Sequence, residues 1–257
     1  MILYRHTLGT GCPLLALHGW GLHSGVWSEV QQALSVRYRV TVLDLPGYGR
    51  SPALPEPWGL TELSQAVLTM VREPMVWMGW SLGGMIALAA ARHQPEKVRA
   101  LVLVASTPCF VQKVNWPHGL ASTTLQAFAE SLEQDPEMTL RRFLTLQAGP
   151  GEAARFVAKR LRGELRRHGL PRREVVRGGL AILRDTDLRD TLSEVGCPTL
   201  LVLGARDTLV PAAVGQAVVE LCPGWQIVIL PKSAHAPFIS HPSEFLARLK
   251  TFLNEMC

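Results

Sequence analysis

The chain has 257 residues, of which 47% are hydrophobic and 18% charged, with a formal net charge of +5. That length buries a sizeable core and suits a single α/β domain. No apolar run approaches the length needed to span a bilayer, so no membrane partner is expected. The N-terminus, Met1 to Gly9, has no basic start followed by a long apolar core, so no secretory signal is expected either. Five cysteines are odd in number and scattered: Cys12, Cys109, Cys197, Cys222 and Cys257. They show no metal-ligand spacing, and the simplest expectation is free thiols in a reducing cytoplasm.

In chain order, Leu14 to Leu17 is a continuous apolar run, as for a strand covered on both faces. It ends in His18-Gly19-Trp20-Gly21, where glycines let a loop fold tightly over a sheet edge. Val26, Trp27, Val30 and Leu34 follow at helical spacing, and Arg39 to Leu43 reads as the next strand. Asp44 to Ser51 is turn chemistry. Leu60 to Val71 predicts a helix, Met75 to Trp80 a strand, and Met85 to Ala91 a helix. Val98 to Val104 is another long apolar strand. From Cys109 to Arg184 strand signals vanish and helical stretches take over, including Leu125–Leu132, Thr139–Leu146 and Ala153–Arg166. Strand character returns at Thr199–Gly204 and Gln226–Leu230, and a helix over Ser243–Leu253 closes the chain behind Pro242.

Strands alternating with helices predict an α/β fold, a mostly parallel sheet with helices on both faces. The core is expected over residues 1–108 and 186–257, with 109–185 inserted as a helical lid. In such sheets the ligand lies beyond the carboxyl ends of the strands. At that edge stands Gly79-Trp80-Ser81-Leu82-Gly83. A serine between glycines is ordinarily a turn. A strand before it and a helix after it make it instead a sharp corner that thrusts a nucleophilic hydroxyl out of the sheet.

A serine hydroxyl needs a base, and the base a carboxylate behind it. Asp207 follows the strand ending at Gly204, and His235 follows the strand ending at Leu230. The order Ser81, Asp207, His235 is the serine–acid–histidine order of one particular fold. Competing residues sit less well. His241 stands beside Pro242 at a helix start, His18 lies in a glycine-rich loop, and Asp185, Asp187 and Asp190 precede a strand instead of following one. Backbone N–H groups of Leu82 and Trp20 are the expected oxyanion donors. No metal and no organic cofactor is required by this chemistry.

These residues resemble the α/β-hydrolase superfamily over nearly the whole chain. Within it, the sequence is similar to the family of pimeloyl-[acyl-carrier protein] methyl ester esterases. The stretches that carry this are Leu17 to Leu22, Trp77 to Gly84, Ser106 to Phe110, Arg142 to Gln147, Gly178 to Leu183 and Ala234 to Pro242. The resemblance implies hydrolysis of the methyl ester of a pimeloyl chain carried on acyl-carrier protein, in biotin synthesis. It implies substrate contacts at Trp20, Ser81, Leu82, Phe143, Leu144, Thr145, Leu146, Gln147 and His235, and a carrier docked on basic lid residues. A monomer is expected.

The charge distribution bears on the carrier independently. From Arg141 to Arg184 there are twelve Lys and Arg against three Glu, a local +9 within a chain of +5. Arg155, Lys159, Arg162 and Arg166 recur at helical spacing and would share one face. With Arg141 and Arg142 they are the candidates for docking an acidic carrier. A solvated helix face is the plainer alternative. A nucleic-acid partner is not expected, because the patch lacks interleaved aromatics. A general carboxylesterase, a carbon–carbon bond hydrolase, or a non-catalytic protein on the same scaffold remain alternatives.

Overall fold

The computed structural model describes all residues, 1–257. A seven-stranded sheet runs β1 (Arg5–Leu8), β3 (Tyr38–Leu43), β2 (Cys12–Leu17), β4 (Met75–Trp80), β5 (Val98–Val104), β6 (Thr199–Gly204) and β7 (Gln226–Leu230) in spatial order. All neighbours are parallel except β1, which runs antiparallel to β3. Burial follows position in the sheet. Central strands β4 and β6 are apolar and buried nearly throughout, while edge strand β1 is exposed at all four residues. A polar, short edge resists pairing with another chain.

Between the strands of the first half lie α1 (Ser28–Leu34), α2 (Leu60–Leu68) and α3 (Leu82–His93). The first ten residues of α3 are all buried, and its alanines and glycines allow close packing under the sheet edge. Four helices are inserted between β5 and β6: α4 (Ser122–Gln134), α5 (Pro136–Ala148), α6 (Ala154–Arg167) and α7 (Arg173–Asp185). The insertion is closed at its neck by a bridge between Cys109 and Asp187 and by the Leu188 N–H donating to the Pro108 carbonyl at 2.9 Å. Asp187 also pairs with Arg189 and Lys113, and the Arg189 guanidinium holds its carboxyl well below the usual range. The second half adds α8 (Ala213–Leu221), the one-turn α9 (Pro237–Ser240) and α10 (Pro242–Met256). No helix is long and apolar enough to cross a membrane.

One expectation is overturned. Cys12 and Cys257 form a disulfide across 245 residues of sequence, so the five thiols are not all free. Helix α10 brings the last residue of the chain back to the start of β2. The scattered spacing therefore concealed a spatial pair, and it carries no argument for a reducing compartment.

Strand order reverses between β2 and β4: the chain leaves β2 for β3 on one side and leaves β4 for β5 on the other. Such a reversal opens a crevice at the carboxyl ends of those two strands. Trp20 follows β2 and Ser81 follows β4, so they flank it.

Candidate active site

Ser81 sits at the corner between β4 and α3 with φ 54° and ψ −118°. A non-glycine residue there is strained, and the surroundings must hold it in place. They do so through the backbone. The Ser81 N–H donates to the Val104 carbonyl at 2.9 Å, and its carbonyl accepts the Ser106 hydroxyl at 2.9 Å. The flanking glycines are demanded by close approach. A β-carbon on Gly83 would lie 2.6 Å from the Leu17 carbonyl oxygen and 2.7 Å from that of His18, and one on Gly79 would meet the Gly83 carbonyl.

His235 and Asp207 are brought together from the loops after β7 and β6. The His235 Nδ1 lies 2.7 Å from Asp207 Oδ2. The other carboxylate oxygen accepts the N–H groups of Leu209 at 2.8 Å and Val210 at 3.0 Å. With all its strong positions occupied, the carboxylate cannot turn away from the imidazole. A proton on Nδ1 then points at Asp207 and leaves Nε2 as an acceptor. The Trp80 indole N–H fixes the histidine loop by donating to the His235 carbonyl at 2.7 Å.

Ser81 and His235 are fully buried, and Asp207 nearly so. Ser81 Oγ and His235 Nε2 make no hydrogen bond, and neither do both amide atoms of the fully buried Gln147. Buried polar atoms are nearly always paired, so these four, with the Trp27 indole N–H as a fifth, stand out as free to meet another molecule. The N–H groups of Trp20 and Leu82 are likewise absent from the turn and cap hydrogen bonds.

The five residues 143–147 on α5 divide in two. Phe143, Leu144 and Gln147 are buried, whereas Thr145 and Leu146 face outward. Phe143 meets Trp20 edge-on at 4.7 Å between centroids. Gln147 lies one turn further along the same face, and just beyond it Gly149 lies against Ala234, the neighbour of His235. Gln147 is thereby set between Trp20 and the histidine loop. Trp20 also donates its indole N–H to the Val176 carbonyl of α7 at 2.8 Å.

The basic residues separate too. Arg141 is taken up by Glu137 one turn earlier. Arg142, Arg155, Lys159 and Arg162 are exposed and without a carboxylate partner. Arg155, Lys159, Arg162 and Arg166 lie on the outer face of α6, opposite buried Val157, Leu161 and Leu165.

Two residues support the loops: His18, which its glycine-rich neighbourhood marks as loop support, and Asp44, which reads in the sequence only as part of a turn. His18 is fully buried, with Nδ1 2.8 Å from the Gly19 carbonyl and Nε2 accepting from the Leu45 N–H at 2.9 Å. Burial lowers its pKa to about 4, which keeps it neutral and outweighs the Gly19 carbonyl. Asp44 accepts the Ser24 N–H and both the N–H and Nε of Arg50. Burial pushes its pKa up, yet the Arg50 and Ser24 hydrogen bonds prevail and hold it at about 2. These two residues stiffen the loops that follow β2 and β3. A lone histidine and aspartate straight after consecutive strands were the available signal.

The geometry agrees with comparisons across known proteins. Residues 13–242 match the sequence profile of the alpha/beta hydrolase fold. A pimeloyl-[acyl-carrier protein] methyl ester esterase of Edwardsiella ictaluri is 42% identical over 251 residues, spanning 97% of this chain and 96% of the relative. One of the same name from Yersinia pestis is 40% identical over 257 residues, spanning 98% of both. Among solved structures, an esterase from Exiguobacterium antarcticum superposes with a TM-score of 0.89 at 23% identity, covering 98% of this chain and 95% of that one. That likeness speaks for the fold alone. The chain belongs to the α/β hydrolase family and, within it, to the pimeloyl-[acyl-carrier protein] methyl ester esterases.

Proposed function

We propose that the protein hydrolyses the methyl ester at the free end of a pimeloyl chain held on acyl-carrier protein, a step of biotin synthesis, by an acyl-enzyme route. The observation that carries the substrate is the 42% identity over 97% of the chain with a pimeloyl-[acyl-carrier protein] methyl ester esterase, and the 2.7 Å contact of His235 with a pinned Asp207, together with a strained Ser81, supports the reaction type. His235 Nε2 takes the Ser81 proton as Oγ attacks the ester carbonyl. N–H groups of Leu82 and Trp20 hold the oxyanion. Methoxide departs with the proton from His235, as methanol. Water, deprotonated by the same nitrogen, then cleaves the acyl-enzyme and leaves a free carboxyl.

Helices α4 to α7 act as the lid over this reaction, the insertion running over 109–185. Phe143, Leu144 and Gln147 contact the acyl chain, with the Gln147 amide meeting a polar group of the substrate. Thr145 and Leu146 stand at the outer side. An acidic carrier docks on Arg142, Arg155, Lys159 and Arg162, while Arg141 contributes less because Glu137 neutralises it. The protein works as a monomer.

The test is methanol release from carrier-bound methyl pimeloyl ester, with wild type and Ser81→Ala compared. Turnover by the wild type and none by the variant is expected. Equal turnover by both would remove Ser81 from the mechanism. Charge reversal at Arg155 and Lys159 should slow the carrier-bound ester about tenfold and spare p-nitrophenyl butyrate, an electrostatic effect that fades with salt.

A further inference from the structure

Gly178 and Gly179 stand side by side in the middle of α7, where glycine weakens a helix relative to alanine. Their surroundings explain why both are there. A β-carbon on Gly179 would lie 2.5 Å from the Tyr48 hydroxyl oxygen and 2.6 Å from Cδ1 of Trp20. Both of those rings are fully buried and close-packed, so neither can swing away. A β-carbon on Gly178 would instead meet the outer ring atoms of Trp58 at 2.6 Å, and Trp58 is only half-buried. One glycine thus faces the wall of the active site and the other faces a yielding side chain near the surface.

What fits against Gly179 is a grip on Trp20. The Trp20 indole N–H donates to the Val176 carbonyl at 2.8 Å, and the Tyr48 hydroxyl to the Val175 carbonyl at 3.4 Å. Both acceptors belong to the backbone of α7, and a side chain at 179 would stand in the way of both donors. Phe143 of α5 closes on the indole edge-on at 4.7 Å. Tyr48 also lies edge-on to His18 at 5.4 Å between centroids. The loop after β2 is therefore fixed at His18 from the core and at Trp20 from the inserted helices. Ser81, Asp207 and His235 take their hydrogen bonds elsewhere, and none of these comes from α7.

We propose that Gly179 is a positioning residue for the oxyanion donor: it lets α7 come close enough for the helix backbone to set where the Trp20 N–H points. The triad is then held from the sheet, while one of the two oxyanion donors is held from the inserted helices. This rests on the esterase reading only for its Ser81 acyl-enzyme step, and on neither the pimeloyl chain nor the carrier. Oxyanion stabilisation depends on an N–H aimed in advance at the developing charge. A small displacement transmitted from α7 therefore costs rate in the chemical step and leaves substrate binding nearly as it was.

The experiment pairs Gly179→Ala with Gly178→Ala, two methyl groups added one residue apart on α7. The substrates are p-nitrophenyl butyrate and its thionoester, in which sulfur replaces the carbonyl oxygen. Sulfur is a weak acceptor, so the preference of the wild type for the oxygen ester reports the oxyanion donors. Gly179→Ala should lower kcat for the oxygen ester about tenfold to hundredfold, leave KM within about twofold, and narrow that preference by about the same factor as kcat. Gly178→Ala should keep both kcat and preference. Wild-type kcat in folded Gly179→Ala overturns the assignment, as does a loss with the preference intact, a rise in KM alone, or equal loss in the two variants. Should Gly179→Ala fail to fold, judged by circular dichroism, Trp20→Phe decides, because it deletes the indole tie and keeps the backbone N–H. A narrowed preference in that variant supports the assignment, and an unchanged one overturns it. If the wild type does not cleave p-nitrophenyl butyrate, or Ser81→Ala cleaves it equally well, the esterase reading itself fails and this one falls with it.

Discussion

The two walls of the site are held by different means. On the sheet edge Ser81 and Asp207 are pinned by backbone groups, Ser81 through the Val104 carbonyl and Asp207 through the Leu209 and Val210 N–H groups, while the side chains of Ser106 and Trp80 reach the Ser81 and His235 carbonyls. The lid wall is tied to the core by side chains, with Trp20 reaching Val176, Phe143 reaching Trp20 and His23 reaching Glu164. Backbone anchors survive changes of side chain and tolerate no displacement. Side-chain anchors can be exchanged or released. The geometry of Ser81, Asp207 and His235 should therefore hold when the contacts to the inserted helices are altered.

The sharpest way to break this contrast is Asp207→Asn. The amide keeps the shape, but only one of its ends accepts. With the oxygen held by Leu209 and Val210, an N–H₂ faces His235 Nδ1 and forces the wrong tautomer. Turnover of p-nitrophenyl butyrate should drop about 10⁴-fold with the fold intact. A loss under tenfold would mean the carboxylate does not orient the base. Next in size is Gly83→Ala, which drives a methyl group into the Leu17 and His18 carbonyls. Urea unfolding should show a loss of roughly 3 kcal/mol, since rigid backbone cannot give way. A neutral result would show that the sheet-edge wall yields after all.

Acid tests the same wall through His18. Its folded pKa of about 4 lies below the ordinary histidine value of 6.5. Below pH 6.5 the unfolded chain takes up a proton that the native state refuses. Stability is full above pH 6.5 and declines as pH falls to 4, by about 3 kcal/mol at most. Asp44 has the other window: its contribution holds above 3.8 and is lost only towards 2. A decline between pH 6.5 and 4 that His18→Gln flattens is the expected urea-midpoint profile. A decline unchanged in that variant would assign it elsewhere.

How much was legible in the sequence follows the same division. Strands β5 and β6 have the bounds that their apolar runs indicate, because burial on both faces imposes composition, and β7 matches its apolar run too, although at the sheet edge only Leu230 of it is buried. Edge strand β1 was missed, since Arg5, His6 and Thr7 face solvent and carry no pattern. Helix α7 was not distinguished, although Val175, Val176, Gly179, Leu180 and Leu183 form its buried face. Paired glycines and five charged residues obscured the stripe. Ser81, Asp207 and His235 stood out because strand ends place them. The meeting of Trp20 with Phe143, and of Cys12 with Cys257, depends on how distant elements pack, which local pattern does not encode.

The smallest expected effect lies at the lid's attachment. His23, in the loop after β2, accepts the Gly25 N–H on Nδ1 and therefore donates from Nε2 to the Glu164 backbone carbonyl at 2.8 Å. The Glu164 carboxylate is buried beneath α6, with Arg167 at 3.5 Å and Arg160 at 3.9 Å. Glu164→Gln retains the carbonyl and the shape but removes the charge that both arginines face. Partly exposed pairs of this kind contribute about 1 kcal/mol or less. Global stability should hardly change. Amide hydrogen exchange should quicken in residues 154–167 while β4 and β6 stay protected, because the lid opens as a unit of its own. Equal quickening in both regions would mean that lid and sheet edge open together, and that the two walls share one stability.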